Sequence, residues 1–192
     1  FGCFQTGYFY GKVFKGIDVR NYGSGNAGTT NTLRTLGKPA GYIVFLGDAL
    51  KAVFAVWIVR YLLFPGLGDV TKILETVTAL GVVLGHNYPF YMNFKGGKGI
   101  AATGGFMFAL DVRIALIAAI VFAVVFFTTR YVSVGSLAIT ALFPILMLIF
   151  YPGQWVVFGL SLVFTALAWW RHRANIKRLM NGTENKFEKK KR

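Results

Sequence analysis

The sequence predicts an all-α polytopic membrane protein: a seven-helix transmembrane bundle with a short fourth helix, the N-terminus outside and the C-terminus cytoplasmic. Three observations predict it. The 192 residues are 55% hydrophobic with glycine left out of the count, whereas soluble domains reach about 45–50% with glycine counted. The excess is gathered into runs such as Tyr42–Phe64 and Ile114–Thr129, and about 20 mostly apolar residues suffice to span a bilayer. The net charge of +14 is concentrated in a few polar segments, as expected of loops that stay on the cytoplasmic side.

Those basic segments order the spans. The first, about 15–39, carries Lys15, Arg20, Arg34 and Lys38; the second, about 88–99, carries Lys95 and Lys98. Arg130 marks a short break, and from Arg171 the chain is basic to its end. The remaining breaks, around Pro65–Lys72, Ala109–Arg113 and Tyr151–Gln154, are balanced or uncharged. Placing every basic segment inside gives spans at about 1–14, 40–64, 70–87, 100–110, 112–128, 134–150 and 154–170. Asp111 is the expected N-cap of the fifth. The fourth, with eleven residues, rises only about 16 Å, so it starts earlier or crosses a thinned region. Were it merely re-entrant, the basic tail would fall on the wrong side.

Residues 1–180 are expected to form one integral membrane domain, followed by a basic tail, 181–192, that frays near anionic lipid. The chain opens at Phe1 inside an apolar stretch, so the start of the first helix is expected to precede it. No cleavable signal peptide is read here, because a basic leading region is absent. Cys3 is the single cysteine, which excludes an intrachain disulfide and a multi-thiolate metal site. It reads as a small apolar helix residue.

Three polar clusters fall on one side of the membrane. The first is Arg20–Lys38, with Gly23, Gly25 and Gly28 spaced as in the dinucleotide fingerprint. That match is rejected, since the fingerprint needs a preceding strand. What survives is physical: glycines let backbone N–H groups turn toward one point. Ser24, Asn26, Thr29, Thr30 and Asn31 add donors, and a helix starting near Thr30 attracts phosphate at its N-terminus. The second cluster, Phe94–Gly105, sets Lys95 and Lys98 among Gly96, Gly97 and Gly99 directly before a helix. It is not a Walker A loop, because Gly99 follows Lys98, yet Lys98 can meet a phosphate as a point charge. The third is Trp169–Leu179. Its tryptophans belong to the interfacial belt; if the helix continues, Arg171, Asn175 and Arg178 form one stripe flanked by His172.

Deeper in the membrane, Asp48 and Lys51 are three apart and are expected to pair structurally. His86 either caps its own helix or reaches the site. Ser133 and Ser136 are expected as helix caps, with a site role as the alternative. The clusters together describe an anion site for more than one phosphate group. Carboxylate pairs suited to glycoside chemistry, a His-x-x-x-His metal motif and a His-x4-Asp pair are absent from it.

Three motifs in order, Gly23–Asn31, Phe94–Thr103 and Arg171–Asn185, resemble the bacterial acyl-phosphate-dependent glycerol-3-phosphate acyltransferases, the PlsY-type family. The flanking segments "GIDVRNYG", "LRTLGK", "GDALKA", "GHNYP" and "TRYVS" fit as well. The departures are small: "GTT" stands where "GAT" is commoner, and Ile100 is a conservative variant. The resemblance implies transfer of a fatty acyl group from acyl phosphate to the 1-hydroxyl of glycerol-3-phosphate. The products are lysophosphatidic acid and inorganic phosphate, the first step of phospholipid synthesis. It implies no cofactor and no metal. The partners are the two substrates and membrane lipid, with no nucleic acid; the location is the bacterial plasma membrane, with the site at its cytoplasmic face. The expected catalytic residues are Ser24, Lys98, His172 and Asn175. The expected substrate-binding residues are Gly23, Gly25, Asn26, Gly28, Thr30, Asn31, Arg34, Gly96, Gly97, Gly99, Ser133 and Ser136. The proton of the attacking hydroxyl goes either to a substrate phosphate oxygen or to His172 as general base. The alternative class is a transporter of phosphate esters. It fits less well, since internal repeats are not evident and the clusters crowd one interface rather than the midplane.

Overall fold

The computed structural model describes residues 1–187; the last five residues of the expected basic tail, 188–192, lie outside the described residues. Among the described residues the secondary structure is helical. The chain divides into two compact units, Phe1–Val112 and a second beginning at Arg113.

In the first unit, α1 (Thr6–Lys15), α2 (Thr29–Leu36), α4 (Asp69–Asn87) and α5 (Ile100–Leu110) all pack on α3 (Lys38–Trp57). Helix α3 begins where a proline fits without loss, with Pro39 in its first turn. It runs on as a π-helical stretch over Ile58–Leu63. There Arg60 meets the buried Glu75 of α4 through two bonds of 2.6 Å. Helix α5 lies tight against α3: a Cβ on Gly105 would run into the backbone carbonyl of Ala49, so only glycine permits this approach. The core between these helices is small-residue rich, with Val44, Ala52, Val56 and Ala79 fully buried beside Phe106 and Met107.

The second unit holds α6 (Val112–Thr129), α7 (Val132–Phe150), α8 (Trp155–Arg171) and α9 (Arg173–Met180). Helix α6 buries only Ile114 and Ala118, which suits a helix whose other faces meet lipid. Helices α7 and α8 pack through Phe143 and Phe164, edge to face at 6.0 Å. Pro144 lies inside α7 and cannot donate to the carbonyl of Thr140 four residues earlier. Thr165 of α8 supplies the missing donor, Oγ1 to Thr140 O at 2.6 Å.

Among the described residues, three helices are long and apolar enough to cross a membrane: the continuous Lys38–Leu63, Val112–Thr129 and Val132–Phe150. Ile100–Leu110 and Trp155–Arg171 are shorter apolar helices. Expected helix limits agree closely, with three differences. The first helix starts at Thr6 rather than Phe1, because the preceding carbonyls of Gly2 and Phe4 turn to Lys51 Nζ at 3.3 and 2.6 Å. The last helix does not continue through the third cluster. It breaks at His172, where the Ala168 carbonyl accepts from both the His172 backbone N–H and Nδ1. The tail is not frayed as far as it is described: Phe187 N–H donates to Arg130 O at 2.9 Å, and its ring meets Phe126 edge-on.

Candidate active site

The first glycine segment is held in shape from inside. Asn31, 1% exposed at the start of α2, points its amide back into the loop. Its Nδ2 donates to the carbonyls of Val19, Tyr22 and Asn26 at 2.8, 3.0 and 2.9 Å. Its Oδ1 accepts from the Ser24 N–H at 2.7 Å and the Ser24 hydroxyl at 3.2 Å. The loop can close this tightly because Gly23 has φ 58° and sits directly against Asn31 Oδ1, where a Cβ would not fit. Asn26 Oδ1 accepts the Gly28 N–H. Gly28 is then the N-cap of α2 without a side-chain cap, so the first N–H groups of the helix lack helical acceptors. The Thr29 hydroxyl beside them is buried without a hydrogen-bond partner among the described residues. Asn31 therefore shapes the loop, while Ser24 is exposed at its tip and Gly28, Thr29 and Thr30 at the start of α2 are half-buried.

The second segment is folded onto the end of α4. The N–H groups of Gly96 and Gly97 donate to the carbonyls of Asn87 and His86 at 3.2 and 3.0 Å. Two consecutive non-glycine residues, Asn93 and Phe94, take φ of 53° and 57° to bring the chain there, a backbone cost that clusters at functional sites. Gly99, φ 83°, is the N-cap of α5. Lys98 is half-buried between buried glycines, whereas Lys95 is exposed.

The two glycine segments touch. Asn26 Nδ2 donates to Gly96 O at 3.4 Å. Arg20 Nη1 donates to Met92 O at 3.1 Å and Lys95 O at 3.3 Å. Arg20 is aimed by Asp18, which meets its guanidinium at 2.7 Å, and it lies over the Tyr8 ring. The hydrogen bond from Arg20 holds the Asp18 carboxyl below the usual carboxylate range against the opposing effect of burial. The first unit thus offers two helix N-termini, Ser24 and Lys98, with exposed Arg34 on α2. All are donors or cations, the composition of a phosphate site.

The second unit carries its own cluster, centred on a carboxylate. Glu184 Oε1 accepts from Asn175 Nδ2 at 2.7 Å and Ser133 Oγ at 3.0 Å, and Oε2 from Arg178 Nε at 2.8 Å. Burial pushes the Glu184 carboxyl up, but hydrogen bonds from Asn175, Arg178 and Ser133, with the Arg178 charge, outweigh it, and the net shift is downward. His172 is buried at the α8–α9 junction. Its Nδ1 lies 2.8 Å from Ala168 O, and a carbonyl only accepts, so Nδ1 carries the proton. In the neutral form of the ring Nε2 is an acceptor. Ser136 is drawn away: its hydroxyl donates to Val132 O within its own helix at 2.9 Å. Neither serine caps α7, whose N-cap is Tyr131.

Ser24, Gly23, Gly25, Asn26, Gly28, Thr30, Asn31, Arg34, Gly96, Gly97, Lys98 and Gly99 thus belong to the first unit, and Ser133, Ser136, His172 and Asn175 to the second. Three contributors escaped the sequence reading. Arg20 was counted only as a loop cation, and Asp18 was passed over. Glu184 lies in a segment expected to fray, although an acid in a basic tail is a usable signal. Among the described residues there is no group of three or more His, Cys, Asp or Glu side chains placed to hold a metal.

Comparison with known proteins shows the family. The family model for glycerol-3-phosphate acyltransferase matches residues 1–182. The glycerol-3-phosphate acyltransferase of Clostridioides difficile (strain 630) is 44% identical over 190 residues, covering 99% of this chain and 92% of that one. That of Thermoanaerobacter sp. (strain X514) is 42% identical over 189 residues, covering 98% and 91%. Among solved structures, PlsY (YgiH), described as an integral membrane glycerol 3-phosphate acyltransferase, superposes in its glycerol 3-phosphate form with a TM-score of 0.83. It is 38% identical and covers 97% of this chain and 92% of its own. Its lysophosphatidic acid form gives a TM-score of 0.81 at 36% identity. By sequence along nearly its whole length and by fold, the chain belongs to the glycerol-3-phosphate acyltransferase family.

Proposed function

We propose that this protein transfers a fatty acyl group from acyl phosphate to the 1-hydroxyl of glycerol-3-phosphate. The products are 1-acyl-glycerol-3-phosphate and inorganic phosphate, and the step is the first of phospholipid synthesis. The observation that carries the reading is the junction of the two glycine segments, joined through Asn26 and Gly96 and supplying two helix N-termini and Lys98. Family membership supports glycerol-3-phosphate as the acceptor. An acyl phosphate suits the geometry as donor: its head is an anion, and its tail belongs in lipid beside the apolar helices.

In this reading the first segment, with Ser24 and the α2 start, receives the acyl phosphate head. Lys98, Arg34 and the Gly96–Gly99 loop receive the phosphate of glycerol-3-phosphate. Ser133, His172 and Asn175 remain proposed site residues of the second unit, where Glu184 fixes Ser133 and Asn175 in place. The hydroxyl oxygen attacks the acyl carbonyl carbon, the bond from that carbon to the phosphate oxygen breaks, and the hydroxyl proton finishes on the released phosphate. Backbone and Ser24 donors stabilise the oxyanion. Because phosphate is a good leaving group, positioning supplies much of the rate. A pH–rate profile of His172→Ala decides the proton's route: substantial turnover with an unchanged profile favours direct transfer to a phosphate oxygen, and near-total loss in a folded variant that still binds acceptor favours His172 Nε2.

Residues 1–180 serve as one acyltransferase domain of seven spans, N-terminus outside and C-terminus cytoplasmic, in a bacterial plasma membrane. The charge distribution supports that orientation and a cytoplasmic site. Purified protein given palmitoyl phosphate and glycerol-3-phosphate tests the function. Lysophosphatidic acid detected by mass spectrometry supports it; phosphate release without ester, or neither product from folded protein, contradicts it.

A further inference from the structure

The two buried charges of α3 are not a closed pair. Lys51 Nζ donates to Asp48 Oδ1 at 3.2 Å, and also lies 2.8 Å from His86 Nδ1 on α4. Asp48 takes a further bond from Thr6 at 3.0 Å. Asp48, Lys51 and His86 are 1%, 6% and 3% exposed, so the cluster carries a real desolvation cost. An ion pair needs only its two members, and the imidazole inserted beside it calls for a separate reason.

That reason lies on the ring's other side. The Nδ1 edge of the ring is taken up by Lys51 Nζ, with Asp48 Oδ1 at 3.7 Å, and the opposite edge carries Nε2. The Nε2 edge lies against Gly97: a Cβ there would overlap Nε2, and its next contacts, at 2.8 Å, are also atoms of the His86 ring. The same residue's carbonyl accepts the Gly97 N–H at 3.0 Å and Gln5 Nε2 at 2.8 Å. His86 therefore supports the second glycine segment with both its backbone and its ring, and Lys51 fixes the ring.

We infer that Asp48, Lys51 and His86 are positioning residues, a buried relay that sets the height of the Gly96–Lys98 segment and so tunes its grip on the acceptor's phosphate. The inference rests on the reading that this segment holds glycerol-3-phosphate. The relay touches no substrate; it acts through Gly97.

The test is a kinetic comparison of His86→Ala, Gly97→Ala, the double variant and Lys98→Ala, measuring kcat and KM for each substrate. His86→Ala is expected to raise KM for glycerol-3-phosphate about tenfold while leaving KM for palmitoyl phosphate near the wild-type value. Gly97→Ala should show the same pattern, because its methyl displaces the ring. With the ring removed the methyl has room, so the double variant should match His86→Ala rather than multiply the two losses. His86→Asn keeps an acceptor for Lys51 but removes the Nε2 edge; it should melt like wild type and still show the raised KM. Multiplying losses, a proportional change in both KM values, or a wild-type KM in His86→Asn would overturn the inference. If Lys98→Ala raises KM for glycerol-3-phosphate and His86→Ala does not, the relay alone is refuted. If Lys98→Ala also leaves it unchanged, the assignment of the segment to the acceptor falls, and the relay with it.

Discussion

Replacing Asn31 by alanine removes the internal support of the first glycine segment, and its cost can be worked from the geometry. Five contacts of 2.7–3.2 Å disappear. Two amide hydrogens cannot fully satisfy three carbonyls, so about four bonds count, each worth about 0.5–1.5 kcal/mol net. Tyr22 and Ser24 are exposed and regain water. Val19 is 0% exposed, and its carbonyl is stranded at about 1–3 kcal/mol. Four bonds sum to about 2–6 kcal/mol; water regained at the exposed groups sets the loss at the low end of that range, about 3 kcal/mol, and it falls on the loop, because a segment with Gly23 and Gly25 at positive φ has little preference of its own for this shape. At about 1.4 kcal/mol per tenfold, kcat/KM should fall about 10²-fold. Thermal unfolding in detergent should change far less, since no helix contact is lost. Amide exchange at Ser24, whose N–H is bonded to Asn31 in the intact loop, should accelerate. An Asn31→Ala enzyme with kcat/KM within about threefold of wild type and unchanged Ser24 exchange would refute the reasoning.

Glu184→Gln removes a carboxylate whose pKa is lowered by its Asn175, Arg178 and Ser133 partners. The stabilisation from that ionisation is full above the unfolded value of about 4.3 and is lost as pH falls through the lower folded value. The stability gap between wild type and Glu184→Gln should therefore be constant at neutral pH and shrink below about pH 4.3, as read by unfolding in detergent across pH. Neighbouring glycines of α5 make a matched pair: Gly104→Ala meets no described atom within 4 Å and should be neutral or stabilising by about 0.5–1 kcal/mol. Gly105→Ala meets the Ala49 backbone and should cost about 1–3 kcal/mol, both read as melting temperatures. Arg20→Ala severs the ties to Met92 and Lys95 and should raise KM for glycerol-3-phosphate. Asp18→Asn loses only a partly exposed pair, worth about 0–1 kcal/mol, and should raise it less.

The helices were legible because apolar runs in this chain end at glycine, proline or charge. The helix expected at 100–110 is α5 over Ile100–Leu110, and the one expected at 70–87 is α4 over Asp69–Asn87. The glycine segments were legible as loops that lead directly into helix starts, with Gly28 before α2 and Gly99 before α5. Their wiring was not. Asn31 reads from sequence as a donor to a ligand, yet its amide is occupied by three loop carbonyls, a result of the turn at Gly23 that no local pattern announces. The Glu184 clamp joins residues 51 positions apart, and Arg20 reaches across 72 positions to Met92. Such contacts depend on how helices meet, and propensity or periodicity carries no information about them. Asp48 and Lys51 were read as a pair from their i,i+3 spacing, which the structure bears out at 3.2 Å; the third member, His86, was 35 positions away.

The most direct test of the central claim follows the acceptor's oxygen. Glycerol-3-phosphate labelled with oxygen-18 at its 1-hydroxyl is supplied with palmitoyl phosphate, and both products are read by mass spectrometry. The account predicts one lysophosphatidic acid per phosphate released, with the label wholly in the ester and none in the phosphate. Label in the phosphate, or phosphate released without labelled ester, would contradict it.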